Sequence, residues 1–158
     1  MLKHITPEGR QRLQDEFDQL WHTKRPAVTQ AVSEAAAQGD RSENAEYIYG
    51  KKQLREIDSR LRFLTKRLEN VVVVDRLPAD LERIFFGAWV TLADEDNNSH
   101  DYRLVGPDEF DMQPAYISMD SPTAKALLKK QVGDEIEVQA PSGVVCYQVI
   151  AVRYEALA

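Results

Sequence analysis

The stretch LREIDSRLRFLTKRL, residues 54–68, decides the fold of the first half of the chain. Its apolar side chains recur at intervals of three and four residues, which is the heptad rhythm of a coiled-coil seam. Stepping backwards by four and then three residues extends the seam towards residue 47. The predicted seam consists of Tyr47, Gly50, Leu54, Ile57, Leu61, Leu64 and Leu68.

An earlier segment has a similar spacing and predicts a second helix. Pro26 lies inside this segment, and because it has no backbone donor we expect it to kink or locally break the helix. The connection between the helices is so short that they must run antiparallel. Arms of about 30 residues reach roughly 45 Å at 1.5 Å per residue, so the tip at residues 37–46 is expected to extend into solvent. The apolar positions of this segment are Leu13, Phe17, Leu20, Ala27, Val28, Ala31, Val32 and Ala35.

The second half of the chain has a different pattern. Short β-branched alternations separated by turn residues predict strands over 86–93, 100–105, 116–119, 135–139 and 144–154, and Ser121 with Pro122 begins one helix. The net charge is +1 over residues 1–75 and −7 over 76–158. We therefore predict an α+β chain: an antiparallel coiled-coil hairpin over 1–75, a linker over 76–84, and a small antiparallel sheet domain with one helix over 85–158.

Composition excludes several classes of protein. The 158 residues are 43% hydrophobic and 29% charged, which is enough for a core and excludes a wholly disordered chain. Apolar runs fall far short of the roughly 20 residues that span a bilayer, and the first residues lack the apolar segment of a signal peptide. Cys146 is the single cysteine, so no internal disulfide can form. We expect a cytoplasmic protein that does not contact membranes.

Motifs for catalysis are absent from the sequence. His4, His22 and His100 have no metal-binding spacing, and Cys146 is interpreted as a small buried hydrophobe in an alternating strand rather than a nucleophile. The seven glycines form neither a phosphate-binding loop nor a nucleophile elbow. The acidic stretches at 94–96 and 108–111 are interpreted as solvated turns.

Two acidic residues, Asp40 and Glu43, lie at the predicted tip and allow two interpretations. In the local one, Gly39 ends the first helix, Asp40 caps the second and Glu43 completes a capping box. In the functional one, the two carboxylates offer oxygen ligands to a divalent cation. Two carboxylates make only part of a Mg²⁺ site, so a partner would have to supply the remaining ligands.

A basic stretch follows the tip. Residues 51–67 carry seven cations and two acids, and most of the cations fall on one side of the helix. The stretch is either an ordinary solvated face or a surface that attracts a phosphate backbone. Tyr47 is interpreted as a packing residue, whereas Tyr49 lies off the seam and is available to stack on a base. The predicted basic stripe comprises Lys51, Lys52, Arg55, Arg62 and Lys66.

The tip sequence GDRSENAEY, residues 39–47, resembles the Gre family of bacterial transcript-cleavage factors. The stretches IFFGAWV at 84–90, YRLVG at 102–106 and DSP at 120–122 resemble the C-terminal domain of that family, so the resemblance covers nearly the whole chain. The stretches RP at 25–26, RSEN at 41–44 and KKQLREID at 51–58 are more similar to the GreB branch than to the GreA branch.

This resemblance implies a function for both halves of the chain. The hairpin would enter the secondary channel of RNA polymerase, while an FKBP-like second domain holds the channel rim. Asp40 and Glu43 match the tip acids of the family, which help the polymerase aspartates to bind the second catalytic Mg²⁺ for two-metal hydrolysis of backtracked RNA. The basic stripe would grip the 3′ segment of the nascent RNA. The chain would stimulate cleavage by the polymerase without being an enzyme itself, and we expect it to be monomeric when free.

Two other functions stay open. An inhibitor of the secondary channel would share the fold, but it usually carries denser acids at the tip. A prolyl isomerase or chaperone would use the FKBP-like domain itself, although the charged second half offers no evident aromatic-lined pocket.

Overall fold

The computed structural model describes residues 3–39 and 44–155 and divides into two compact units. The hairpin unit comprises Arg10–Asn70, and the C-terminal unit combines the described residues up to Gly9 with those from Val71 onward. The division therefore follows residue 70, whereas we predicted it after residue 75. The predicted linker over 76–84 also differs, because Ile84 is fully buried in the core and Arg83 forms a β-bridge with Gln131.

Helices build the hairpin unit. The first arm consists of α1 (Pro7–Gln19), a π-helical segment (Leu20–Lys24) and α2 (Arg25–Ala36), and the second arm is α3 (Ala45–Asn70). None of the described helices is both long and apolar enough to cross a membrane. Burial follows the predicted seam of α3, where the buried residues are Gly50, Ile57, Leu61 and Leu64.

The first arm matches its predicted apolar face only in part. Leu13 and Ala35 are buried, as the spacing predicts. Ala27 and Ala31 are exposed, so the prediction was wrong for these two positions. They fall outside the helix face that is buried in the hairpin.

The first arm stays helical at Pro26, but its hydrogen-bonding pattern changes there, as expected for a residue without a backbone donor. The π-helical segment ends directly before α2, and the backbone N–H of Arg25 donates to the carbonyl of Leu20, five residues earlier. Pro26 occupies the first turn of α2, where its missing donor costs least. The predicted break is thus a local change from α to π geometry.

The two arms run antiparallel, as predicted. Residues further along α3 contact residues that lie earlier in the first arm, and these contacts fix the register of the hairpin. A Cβ added at Gly50 would lie 2.5 Å from Cγ2 of Val32, so the arms approach closely there. The pairs, ordered along α3, are Asn44 with Ala35, Gly50 with Val32, Asp58 with Arg25, and Arg60 with Glu16.

A five-stranded sheet forms the core of the C-terminal unit. Its strand order is β5-β4-β3-β7-β6. All neighbours are antiparallel, as predicted, except β4 and β5, which pair parallel at this edge. The long connection over residues 106–115 lets the chain return in the same direction. The strands are β3 (Trp89–Ala93), β4 (Ser99–Val105), β5 (Tyr116–Ser118), β6 (Glu135–Ala140) and β7 (Gly143–Arg153).

One short helix, α4 (Pro122–Leu127), covers this sheet. Ser121 caps it as predicted, since its side chain accepts a hydrogen bond from the backbone N–H of Ala124. Ala124 and Leu127 are fully buried and join Val90 and Leu92 of β3 in one apolar core. The α+β architecture that the sequence predicts is therefore confirmed.

The N-terminal residues add a feature that the sequence did not predict. Strand β1 (Lys3–Ile5) pairs parallel with β2 (Val71–Val73), which follows α3 directly. This two-stranded pair explains why the unit boundaries lie at Gly9 and Val71. It also shows that the apolar run from residue 71 is a strand and not a continuation of the helix.

A buried carboxylate fixes the end of β1. Glu109 is fully buried, and its carboxylate accepts hydrogen bonds from the backbone N–H and the hydroxyl of Thr6 and from the backbone N–H of Gly106. A Cβ at Gly9 would lie 2.3 Å from Oε1 of Glu109, and one at Gly106 would lie 2.3 Å from the carbonyl oxygen of His4. The interpretation of residues 108–111 as a solvated turn was therefore wrong for Glu109.

Candidate nucleic-acid interface on the hairpin unit

The helix α3 begins at Ala45, inside the predicted tip segment 37–46, and is capped by Asn44. The side-chain oxygen of Asn44 accepts a hydrogen bond from the backbone N–H of Tyr47 at 3.1 Å, and its amide nitrogen donates to the carbonyl of Ala35 at 2.7 Å. The cap of α3 is thus Asn44, not the predicted Asp40. Asp40 and Glu43 themselves lie outside the described residues, as does the capping box predicted for them.

A complete metal site is not found within the part of the chain that the structure describes. Residues 3–39 and 44–155 contain no group of three or more His, Cys, Asp and Glu side chains that could hold a metal ion. Carboxylate oxygens, which Asp40 and Glu43 would provide, are the ligands that Mg²⁺ prefers. Two such groups fit the cation chemically but are too few to enclose it.

The basic stripe lies along one arm of the hairpin, and all five of its side chains are exposed. Four of these side chains form no ion pair or hydrogen bond with another described residue, namely those of Lys51, Lys52, Arg55 and Lys66. The charge of Arg62 acts on Asp58, whose pKa it helps to lower. The stripe therefore presents its positive charge to solvent.

Other cations of the hairpin serve its structure. Arg60 donates two hydrogen bonds to Glu16, at 2.6 and 2.8 Å, and this pairing lowers the pKa of Glu16 from its ordinary value of 4.5. Arg25 donates to Asp58 at 2.8 Å, and the hydrogen bond is the main reason why the pKa of Asp58 is lowered. These pairs join the two arms, so they belong to packing and not to the exposed stripe.

The two tyrosines near the tip differ in exposure. Tyr47 is half-buried, consistent with a packing role on the seam. Tyr49 is 62% exposed and Ile48 beside it is 52% exposed, so both present apolar surface close to the tip.

A groove with aromatic walls on the hairpin unit was missed by sequence reasoning. Its volume is about 780 Å³. The sequence signal for it is Trp21, a large aromatic residue that follows Phe17 by one helical turn. Trp21 lies next to the seam position Leu20 and not on the seam itself. We call this feature the aromatic groove; its walls include Phe17, Trp21 and Phe63 together with the cations Arg25, Arg62 and Lys66.

Candidates in the C-terminal unit show no catalytic geometry within the described residues. His100 pairs with Asp94 at 2.9 Å, and the hydrogen bond from His100 is the main cause of the lowered pKa of Asp94. Cys146 is half-buried, and burial, followed by a hydrogen bond to Glu95, raises the pKa of its thiol. A raised pKa disfavours the thiolate, so Cys146 lacks the environment of a reactive cysteine.

Comparison with protein families finds two matches, one in each half of the chain. The family described as "Transcription elongation factor, N-terminal" matches residues 3–73. The family described as "Transcription elongation factor, GreA/GreB, C-term" matches residues 78–154. Together the two matches cover nearly the whole chain.

Individual relatives are similar over the same length. Transcription elongation factor GreB of Pseudomonas aeruginosa is 61% identical over 150 residues, which cover 95% of this chain and 89% of the relative. GreB of Yersinia pestis is 58% identical over 151 residues, or 96% of this chain and 88% of the relative. GreB of Pasteurella multocida is 55% identical over 152 residues and covers 96% of both chains. The chain therefore belongs to the GreA/GreB family of transcription elongation factors.

Proposed function

We propose that this chain is a transcript-cleavage elongation factor whose hairpin enters the secondary channel of bacterial RNA polymerase. In this proposal Asp40 and Glu43 complete a Mg²⁺ site that the aspartates of the polymerase provide in part. The chain stimulates cleavage of backtracked nascent RNA by the polymerase and has no cleavage activity alone. We place it in the cytoplasm, where it meets the polymerase as a monomer.

The observation that carries the proposal is the combination of charges next to the tip. The helix α3 has its own cap in Asn44, so its start does not require Asp40 as a capping residue. The five cations of the basic stripe, which follow along the same helix, are exposed, and four of them form no ion pair or hydrogen bond with other described residues. Acids suited to Mg²⁺ beside cations suited to RNA phosphates are what a factor acting on RNA at a metal centre needs.

Each group of side chains has a distinct task in this proposal. A bound Mg²⁺ stabilises the charge that develops on the attacking and leaving oxygens of a phosphodiester. The carboxylates of Asp40 and Glu43 would hold this cation together with the polymerase aspartates and would orient the attacking water. The basic stripe neutralises RNA phosphates and so holds the displaced 3′ segment close to the tip. The names of the relatives support an elongation factor and give no support to an isomerase or an inhibitor.

Substitution of the tip acids tests the proposal. Asp40→Asn and Glu43→Gln are each expected to abolish stimulated RNA cleavage in backtracked complexes while binding to polymerase is retained. Glu46→Gln is the matched control, because Glu46 is an exposed carboxylate at the start of α3, and it should keep activity. Full cleavage with both tip variants, or cleavage by the protein without polymerase, would contradict the proposal.

Substitution of the basic stripe tests the RNA contact separately. Replacing Lys51, Arg55, Arg62 and Lys66 by alanine should weaken cleavage of RNA with long extruded segments and flatten its dependence on salt, because fewer counterions are released on binding. The single variant Lys51→Ala should show part of this effect. Its control is Lys24→Ala, which removes another exposed lysine of the hairpin unit. If the salt dependence of cleavage were unchanged in the fourfold variant, the basic stripe would be an ordinary solvated face that does not contact RNA.

A further inference from the structure

The side chain of Asn44 forms two hydrogen bonds, and only one of them is needed to cap α3. Its oxygen accepts the cap hydrogen bond from the backbone N–H of Tyr47. Serine, aspartate and asparagine cap helices about equally well, so capping alone does not require an amide nitrogen. In this chain that nitrogen donates to the carbonyl of Ala35 at 2.7 Å. Asparagine carries its donor and its acceptor on separate atoms of one short side chain, so it can form both bonds at once.

The second bond joins the start of α3 to the end of α2 at a buried point. Ala35 is 2% exposed, and its carbonyl also accepts a hydrogen bond from the backbone N–H of Gln38 at 3.1 Å. The last carbonyls of a helix have no partner within the helix, so the Asn44 amide satisfies a group that needs a donor. Gly50 and Val32 pack closely further along the same two arms. The arms are therefore held together at the base of the tip by a hydrogen bond as well as by packing.

The bond between Asn44 and Ala35 ties both ends of the segment that carries the tip acids. Eight residues, 36–43, lie between its two ends. Glu43 is the direct neighbour of Asn44, and Asp40 lies four positions before it. A segment with tied ends has fewer conformations to lose when its side chains bind a ligand, so binding costs less conformational entropy.

We propose that Asn44 is a positioning residue for the tip acids. Its bond to Ala35 holds the two ends of the tip segment at the separation in which Asp40 and Glu43 bind Mg²⁺ together with the polymerase aspartates. This inference rests on the proposed function, in which the two carboxylates supply part of the metal site. One hydrogen bond shifts an equilibrium roughly 2- to 10-fold, so loss of this bond should lower the population of the binding-competent tip by up to that factor.

The substitution Asn44→Ser separates the bond to Ala35 from the cap. Serine caps a helix as well as asparagine does, but it lacks the amide that donates to Ala35. In backtracked complexes, Asn44→Ser should raise the Mg²⁺ concentration for half-maximal cleavage roughly 2- to 10-fold. The maximal rate at saturating Mg²⁺ and the affinity for polymerase should stay unchanged, because the tip acids themselves are retained.

The matched control is Asn70→Ser at the far end of α3. It removes the same kind of bond, from the amide of Asn70 to the carbonyl of Lys66 at 2.7 Å. Because this bond lies within one helix and away from the tip, its loss should leave the Mg²⁺ requirement unchanged. An unchanged Mg²⁺ requirement in Asn44→Ser as well would overturn the proposal.

The distance between the two arms tests the bond in the free protein, without polymerase or Mg²⁺. Spin labels attached through Ala37→Cys and Ala45→Cys, two exposed positions on either side of the tip acids, report this distance in a Cys146→Ser chain. Asn44→Ser should broaden the distribution of distances, whereas Asn70→Ser should not. The same distribution with and without Asn44→Ser would contradict the proposal, because the bond would then not hold the arms.

Stability measurements distinguish positioning from a general weakening of the hairpin. Asn44→Ala removes the cap as well as the bond to Ala35, so it should be less stable than Asn44→Ser with little further rise in the Mg²⁺ requirement. If the Mg²⁺ requirement instead followed stability across these variants and Asn70→Ser, Asn44 would act only through folding and the proposal would fail. A weaker affinity of Asn44→Ser for polymerase would also refute it, since Asn44 would then be a protein contact.

Failure of this inference and failure of the proposed function give different results. A normal Mg²⁺ requirement in Asn44→Ser, with cleavage lost in Asp40→Asn and Glu43→Gln, would refute the positioning role and leave the role of the tip acids intact. Retained cleavage in both tip variants would instead refute the proposed function, whatever the spin labels show for Asn44.

Discussion

The hairpin unit and the C-terminal unit use their polar side chains in different ways. In the C-terminal unit, Glu109 and Arg103 show polar side chains that are shielded and paired: Glu109 accepts hydrogen bonds from Thr6 and Gly106, and Arg103 donates to the carbonyl of Gly87 and the hydroxyl of Tyr116. In the hairpin unit the basic stripe faces solvent instead. These pairs stabilise the C-terminal unit, whereas the exposed cations of the stripe are the ones that we propose contact RNA.

The largest effect is expected when the buried carboxylate of the C-terminal unit is removed. Glu109→Ala leaves the N–H groups of Thr6 and Gly106 and the hydroxyl of Thr6 without their acceptor. A buried donor without a partner costs about 1–3 kcal/mol, and three donors lose their acceptor, so we expect a loss of about 3 kcal/mol or more in the free energy of unfolding. Urea denaturation measures this loss, and hydrogen exchange at Ile5 and Thr6 shows whether β1 detaches.

Glu137→Ala is the control for that experiment, since Glu137 is an exposed acid of β6 and its removal should change stability by less than about 0.5 kcal/mol. If Glu109→Ala were no more destabilising than Glu137→Ala, the contrast between the two units would fail. The polar network around β1 would then contribute no more than a surface charge.

An intermediate effect is expected at Gly50, where the two arms approach closely. Gly50→Ala places a Cβ 2.5 Å from Cγ2 of Val32, and overpacking of this kind costs about 1–3 kcal/mol. Alanine also favours the helix by about 1 kcal/mol over glycine. The net loss in the free energy of unfolding should therefore be about 0–2 kcal/mol.

The same substitution in a Val32→Ala chain tests whether contact with Val32 causes the loss. In a Val32→Ala chain the crowding is relieved, so Gly50→Ala should become stabilising through its helix propensity alone. Chemical denaturation of the four chains in the double-mutant cycle measures the change of sign. The same destabilisation by Gly50→Ala in both backgrounds would show that Val32 does not set the approach of the arms.

Features determined by neighbouring residues could be predicted from the sequence. The seam of α3 follows from its own periodicity, and the cap at Ser121 follows from the residues directly after it. The sequence predicted the place of the helix irregularity but not its form. Pro26 shows that one backbone N–H donor is missing, but it does not show that the preceding turn becomes π-helical.

Features determined by distant residues could not be predicted. Glu109 lies in a stretch whose composition indicates a turn, and its burial depends on Thr6, which is 103 positions earlier in the chain. The pairing of β1 with β2 joins two strands of three residues each, which are too short for an alternating pattern. In the candidate site, helix periodicity predicted that the basic stripe is exposed. The aromatic groove could not be predicted in this way, because it depends on the packing of Trp21 on Phe17 where the helix becomes π-helical.

The smallest effect is expected at the ion pair of Glu16 and Arg60 in the hairpin. The pKa of Glu16 is lowered below 4.5 in the folded chain, so the pair stabilises the fold above about pH 4.5 and this contribution is lost as the pH falls through the lowered value. The side chains are 38% and 46% exposed, and solvent screening limits the contribution to less than about 1 kcal/mol. Glu16→Gln should therefore lose slightly less stability than the original chain between pH 7 and pH 3.

Circular dichroism during urea denaturation at both pH values measures this difference, with Glu56→Gln as the control for loss of an exposed acid from the same unit. Identical pH dependence in all three chains would show that the pair contributes nothing. A contribution below about 1 kcal/mol even from a doubly hydrogen-bonded pair means that the solvent-facing cations of the basic stripe contribute still less to folding. They can then be replaced without unfolding the hairpin, so a loss of RNA cleavage on their removal, with binding to polymerase retained, would support the proposed contact with RNA.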